Sequence, residues 1–333
     1  MKMKLLSFFT VRLLLLTASL VWLPIGSFSS FAQLRAHSAK VLSQDLQSLL
    51  AKEDTLKQYA EYLITDSLPE DRMISDSIFT KTLVRALRIP NSFWFAFDSV
   101  KGISCRYAPD SSFRIITWNL QFDDYYCRQR GAIQRKTDNG SLSLFPLRDV
   151  SEFTDRPEDS LRSASQWIGA IYYNIIKTRH QNKDYYTLFG FDPNNARSNI
   201  KWLEVLQFNS KGEPVFGGPF FSYEKDSVPA PARHRLSIEF KKGAQVLMDY
   251  VADLDMILVD HLISENNDPD SKYTYIPDGD QEGYKWTNGK WLHINKVFTL
   301  QLQDGQAPRE QPLFDKPKPP SKLPTKQPVK GKG

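Results

Sequence analysis

Residues 103–147 read ISCRYAPDSSFRIITWNLQFDDYYCRQRGAIQRKTDNGSLSLFPL. Short aromatic and β-branched runs are cut here by turn residues at Pro109-Asp110-Ser111-Ser112, Asp123-Asp124 and Asp138-Asn139-Gly140. The runs Ile103–Tyr107, Phe113–Leu120, Tyr125–Arg135 and Ser141–Leu147 have strand length and composition. The gaps are far too short for a crossover helix, so neighbouring strands must pair antiparallel. The stretch predicts a four-stranded meander.

The same grammar continues downstream. A polar connector, Arg148 to Arg162, is followed by expected strands at Gln166–Thr178, Tyr185–Phe191, Lys201–Phe208, Val215–Tyr223, Arg235–Phe240, Ala244–Tyr250, Asp255–Ile263, Tyr273–Ile276, Tyr284–Thr287 and Trp291–Asn295. Upstream the period changes to that of a helix. Leu46, Leu49, Leu50, Leu56, Tyr59 and Tyr62 recur at three- to four-residue spacing, and after Leu68-Pro69 a second run carries Ile74, Ile78, Leu83 and Leu87. The expected fold class is mainly β, as an antiparallel meander, sandwich or barrel-like sheets, with an N-terminal helical hairpin, α+β overall. The expected segments are a helical region at 33–89, a first meander at 90–150, a connector at 151–165, a second β-rich region at 166–303 and a disordered Pro/Lys-rich tail at 304–333.

The first 32 residues read as an export signal. Lys2 and Lys4 precede an apolar run, Leu13–Leu23, which Pro24 and Gly26 end, and Ser30 and Ala32 form a small-x-small site before Gln33. Eleven apolar residues are too few for a span, which needs roughly 20. The mature chain is expected to be periplasmic, outer-membrane-associated or secreted, with no transmembrane span. Charge follows the same division. The chain carries +5 overall, but the signal holds three basic residues and no acid, and the tail from Pro308 holds seven basic and two acidic residues. What lies between is mildly acidic, which argues against nucleic acid as a partner, because phosphate binding needs clustered Lys and Arg on a folded face.

Two cysteines in an oxidising compartment raise a disulfide between Cys105 and Cys127. A simple meander sets them on its first and third strands, roughly 9.6 Å apart, whereas a disulfide tolerates about 7 Å between Cα atoms. The bond forms only if the region around Phe122–Cys127 bends out of the sheet.

Candidate ligand sites are few. In GYKWTNGKWLH, residues 283–293, Asn288-Gly289 is a preferred two-residue hairpin turn. It pairs Trp286 with Trp291 and Tyr284 with His293, and sets all four on one face. Such a face either locks a core or stacks on a sugar ring. Asp278, Asp280 and Glu282 surround Gly279, where carboxylates could hold calcium; a solvated turn uses the same residues.

The segments FGFDPNN (189–195), KWLEVLQF (201–208), GEPVFGG (212–218), YIPDG (275–279) and GYKWTNGKW (283–291) resemble uncharacterised exported proteins of Bacteroidota over about residues 165–295. The resemblance implies export and a shared β-rich fold. That group has no assigned activity, so the resemblance transfers no catalytic residue.

Catalytic signatures are absent. His180, His234, His261 and His293 fall in no metal spacing, and there is no nucleophile elbow or P-loop. No catalytic residue and no cofactor is assigned. The expected function is that of an exported, non-enzymatic envelope or secreted protein that binds a partner or glycan. The alternatives are a carbohydrate-active or other hydrolase using Asp and Glu in a cleft, and a structural accessory subunit of an envelope complex.

Overall fold

A computed structural model of the chain describes residues 41–298. The signal at 1–32 and the tail at 304–333 lie outside the described residues. Two helices open the described chain, α1 (Ser43–Thr65) and α2 (Pro69–Leu87). In α1 the buried positions Leu49, Glu53, Leu56, Ala60 and Leu63 step by three and four along one stripe. Pro69 starts α2, where its missing N–H has no intrahelical partner to lose, and Glu70 and Asp71 sit in the first turn against the positive end of the helix. Neither helix is long and apolar enough to cross a membrane.

The first sheet is the expected meander: β1 (Ile103–Tyr107), β2 (Phe113–Gln121), β3 (Cys127–Arg135) and β4 (Ser143–Arg148), in that spatial order and antiparallel throughout. It is covered on both faces. Ile116, Trp118 and Leu120 pack on the helices, while Phe113, Ile115 and Ile133 face the next sheet. The Trp118 indole N–H donates to Asp76 of α2 at 2.9 Å, and Arg114, wholly buried, donates to the carbonyls of Phe95 and Ser92 and to Gln134.

The second sheet holds β5 (Arg162–Ser163), β6 (Ile171–His180), β7 (Lys183–Asp192), β8 (Ser198–Phe208) and β9 (Pro214–Phe216). The third sheet begins with β10 (Phe221–Ser222). The next strand, β11 (Arg235–Lys241), pairs with the first half of β8 in the second sheet. The third sheet is completed by β12 (Met248–Val251), β13 (Met256–Ser264), β14 (Tyr275–Thr287) and β15 (Lys290–Ile294), with β10 parallel to β15. The layers run helices, first sheet, second sheet, third sheet, and no barrel closes. Strand β8 shows why the stack holds. Trp202 and Leu206 face the first sheet, while Leu203 and Val205 face the third. Both sides of this strand are core.

A charged network is buried between the first two sheets. Arg235 and Glu204 are almost fully buried and pair at 3.1 Å. Glu204 also accepts from the Tyr172 hydroxyl, which in turn accepts from the Trp167 indole at 2.7 Å. Arg235 also donates to the carbonyls of Pro157 and Ser160. It thereby ties the connector to the second sheet.

Four expected strands differ from those observed. Val215–Tyr223 is not one strand but β9 and β10, separated by Gly217 (φ 86°) and Gly218 (φ 137°), through which the chain changes sheets. Gln166–Thr178 begins as a 3-10 turn at Ala164–Gln166 and becomes a strand only at Ile171. Between them, a Cβ on Gly169 would lie 2.3 Å from Gln129 Oε1 and 2.5 Å from Asp149 Oδ2. Tyr273–Ile276 and Tyr284–Thr287 are joined in β14, because Pro277-Asp278-Gly279-Asp280 is not a turn between strands but a bulge inside one. The ladder breaks between Asp260 and Leu262 of β13, and Gly279 (φ 96°) absorbs the extra residues.

Candidate functional site

The hairpin face of Tyr284, Trp286, Trp291 and His293 reads in the sequence as either a core lock or a ligand platform. Its register is as expected, Trp286 opposite Trp291 and Tyr284 opposite His293, and Asn288 (φ 50°) and Gly289 (φ 81°) form the turn. The face is nevertheless closed by the second sheet. Trp291 and Tyr284 are 0% and 1% exposed, and the Trp291 indole donates to Thr187 Oγ1 of β7 at 2.9 Å. Trp286 is half-buried against Tyr185 and Phe220. The four side chains are a packing lock.

His293 sits at the edge of that lock between two carboxylates, with Nδ1 2.8 Å from Asp226 and Nε2 3.2 Å from Glu282. Burial alone would lower its pKa, but the hydrogen bonds and charges of Glu282 and Asp226 outweigh it and hold the imidazolium above the ordinary value. A raised histidine contributes stability that is complete below the unfolded pKa, about 6.5, and is lost as pH rises through the higher folded value. Urea midpoints of the wild type should therefore fall between pH 6 and pH 9 by more than those of His293→Gln; parallel pH profiles would exclude this linkage.

The three acids proposed for a metal point to three different partners. Asp278 meets His261 at 2.8 Å, Asp280 meets Lys296 at 2.7 Å and Glu282 meets His293. Among the described residues no three His, Cys, Asp or Glu side chains are grouped to hold a metal ion. The two cysteines are free thiols. Cys105 of β1 stands opposite Ile116, which stands opposite Ala132, whereas Cys127 lies five residues before Ala132, at the start of β3. Burial raises both thiol pKa values, that of Cys127 to about 12, where Asp192 adds to the effect.

A cleft of about 440 Å³ opens instead where the first and second sheets meet the connector. Tyr125 and Tyr126, from the turn between β2 and β3, stand on one side, with Trp202 of β8 and Asp192 at the end of β7 also lining it. The connector supplies Glu152 and Glu158. Trp202 is 7% exposed, and its indole N–H is buried with no acceptor among the described residues. Asp192 accepts hydrogen bonds from Gln129 Nε2 and the Asn194 backbone N–H, both at 2.8 Å. Burial raises its carboxyl to about 6, with the charge of Asp149 adding to the shift and those hydrogen bonds opposing it. Glu158 accepts from Ser237 at 2.5 Å, and Glu152 accepts from the Tyr126 hydroxyl at 2.9 Å and faces Arg128 at 3.5 Å.

In the sequence Asp192 stands out only within FGFDPNN (189–195), Tyr125 and Tyr126 fall in an expected strand and the connector reads as a polar spacer. The one usable signal was the unusual concentration of aromatic and acidic residues in Asp123-Asp124-Tyr125-Tyr126 and in residues 152–159. No protein-family model, no curated protein and no solved structure matches the chain.

Proposed function

We propose that the chain is an exported, non-enzymatic protein of the cell envelope or its surroundings that binds a glycan in the cleft between the first and second sheets. The single observation that carries this reading is the Trp202 indole: an aromatic ring lining the cleft whose buried N–H has no acceptor. A buried donor without a partner is costly, and a hydroxylated ligand would relieve it once the ring turns its N–H toward the cleft. Tyr125, 71% exposed, and Tyr126 add apolar ring surface with polar tips, and Glu152 and Glu158 add acceptors for hydroxyl groups. Export rests on the signal read at residues 1–32.

The test is a glycan array with the wild type, Trp202→Phe and Tyr125→Ala. Trp202→Phe keeps a ring and removes the donor, so it should weaken binding about tenfold, the value of one hydrogen bond completed in a buried site. Tyr125→Ala removes an exposed ring without disturbing the core and should also weaken binding. Undiminished binding by both variants would sink the cleft as the site, and an empty array would sink the glycan.

Asp192 supports a second reading, hydrolysis. A carboxyl held near 6 can give up a proton at mildly acidic pH, as a general acid must, and Glu152 and Glu158 line the same cleft. Under the binding proposal, incubation with the array ligand at pH 5–7 yields no new reducing ends. Release that disappears in Asp192→Asn would replace binding by hydrolysis.

A further inference from the structure

Three guanidinium groups share one face at the ends of β3 and β4. Arg128 and Arg130 alternate along β3, and Arg130 stands directly opposite Arg148 of β4. Like charges opposite one another across a strand pair destabilise a sheet. The surrounding acids relieve this only in part. Arg148 is exposed, and its guanidinium makes no hydrogen bond or ion pair with a described residue. Arg130 meets Asp76 through Nε alone at 3.2 Å, and Arg128 has one 3.5 Å approach to Glu152, itself half exposed. Asp149, beside them, is committed elsewhere: its oxygens accept from the backbone N–H groups of Gln129 (3.1 Å), Ser151 (2.9 Å) and Gly169 (3.2 Å) and from the Ser151 hydroxyl (2.7 Å).

With Asp149, Val150 and Phe153 the three arginines line a hollow of about 90 Å³. That is several times the roughly 10–15 Å³ of such space that one water needs, room for a single small oxyanion. We propose that this hollow binds an oxyanion of the phosphate or sulfate kind, clamped between Arg130 and Arg148 with Arg128 beside them. The unused N–H groups of planar guanidinium forks match paired oxygens on such a group. The proposal is independent of the glycan reading. Residues alternate along β3, so Arg128 and Arg130 face away from Cys127 and Gln129, which line the cleft.

The test is titration calorimetry of the full-length protein with inorganic phosphate and with inorganic sulfate, at constant ionic strength so that general screening does not vary. Wild type should show saturable binding. Arg148→Gln, which loses no internal partner, should weaken it about tenfold or more, the range expected for a hydrogen bond to a charged group. Arg130→Gln/Arg148→Gln should abolish it. A parallel arm compares a sulfated heparin tetrasaccharide with its desulfated form. Preference for the sulfated form through the same arginines identifies a saccharide substituent as the source, and binding of the inorganic ions alone identifies the free anion; both carry the proposal. Absence of saturable binding by wild type, or equal binding by the double variant while thermal unfolding shows it folded, would overturn it.

Discussion

Glu204→Leu should lower the unfolding free energy by about 3–5 kcal/mol, the cost of removing one partner from a buried ion pair. Arg235 would then hold its charge in the interior against carbonyl oxygens alone, those of Pro157, Ser160 and Phe216. Tyr172, whose hydroxyl donates to Glu204, would lose its acceptor at the same time. Glu204→Gln keeps an acceptor and loses the charge, so it should also destabilise. Glu204→Leu/Arg235→Met removes both charges and should recover much of the loss, because a buried pair gains little over apolar residues of similar volume. Urea denaturation of the three variants decides the matter. A double variant no more stable than Glu204→Leu would mean that Arg235 matters through its carbonyl bonds rather than its charge.

Trp291→Ala should cost about 3–5 kcal/mol as well, from the lost burial of a large ring and the cavity left between the second and third sheets. It also leaves Thr187, wholly buried, without the indole that donates to it. Trp286→Ala, at the half-buried rim of the same face, should cost less, about 1–2 kcal/mol in proportion to its burial. An open ligand platform requires the opposite pattern, with small stability effects at both positions and a loss of binding. Urea midpoints and array binding of the two variants separate these cases. Equal, small stability losses would show that the hairpin face is not packed as described.

The parts of the fold legible in the sequence were those set by neighbours in the chain. Pro109-Asp110-Ser111-Ser112 and Asp123-Asp124 mark the ends of β1–β3 because turn chemistry is local. Asn288-Gly289 fixed the register of β14 on β15 for the same reason. What could not be read is which face meets which. Alternation puts Tyr284 and Trp291 on one side of a hairpin, but the residue that covers Trp291 is Thr187, about a hundred positions away. The Gly217-Gly218 pair falls inside the single strand read at Val215–Tyr223, and only the pairing of β10 in the third sheet shows that the chain leaves one layer there for another. The bulge at Gly279 fails for a related reason: Asp and Gly favour a turn locally, and pairing with β13 on both sides overrides them. The cleft was the least legible part. Its walls come from Tyr125, Glu152, Asp192, Trp202 and Ser237, and no short-range pattern links them.

A glycan bound as proposed would lie in the cleft at Trp202 rather than on the hairpin at Trp286 and Trp291. Each tryptophan contributes one indole N–H signal to the ¹H–¹⁵N spectrum of labelled protein. Trp202→Phe and Trp286→Phe identify their two signals by deletion. On titration with the tightest array ligand, the account predicts that the Trp202 indole signal moves, while those of Trp286 and Trp291 stay in place. A Trp202 signal unmoved at saturation, with Trp286 shifting instead, would contradict it.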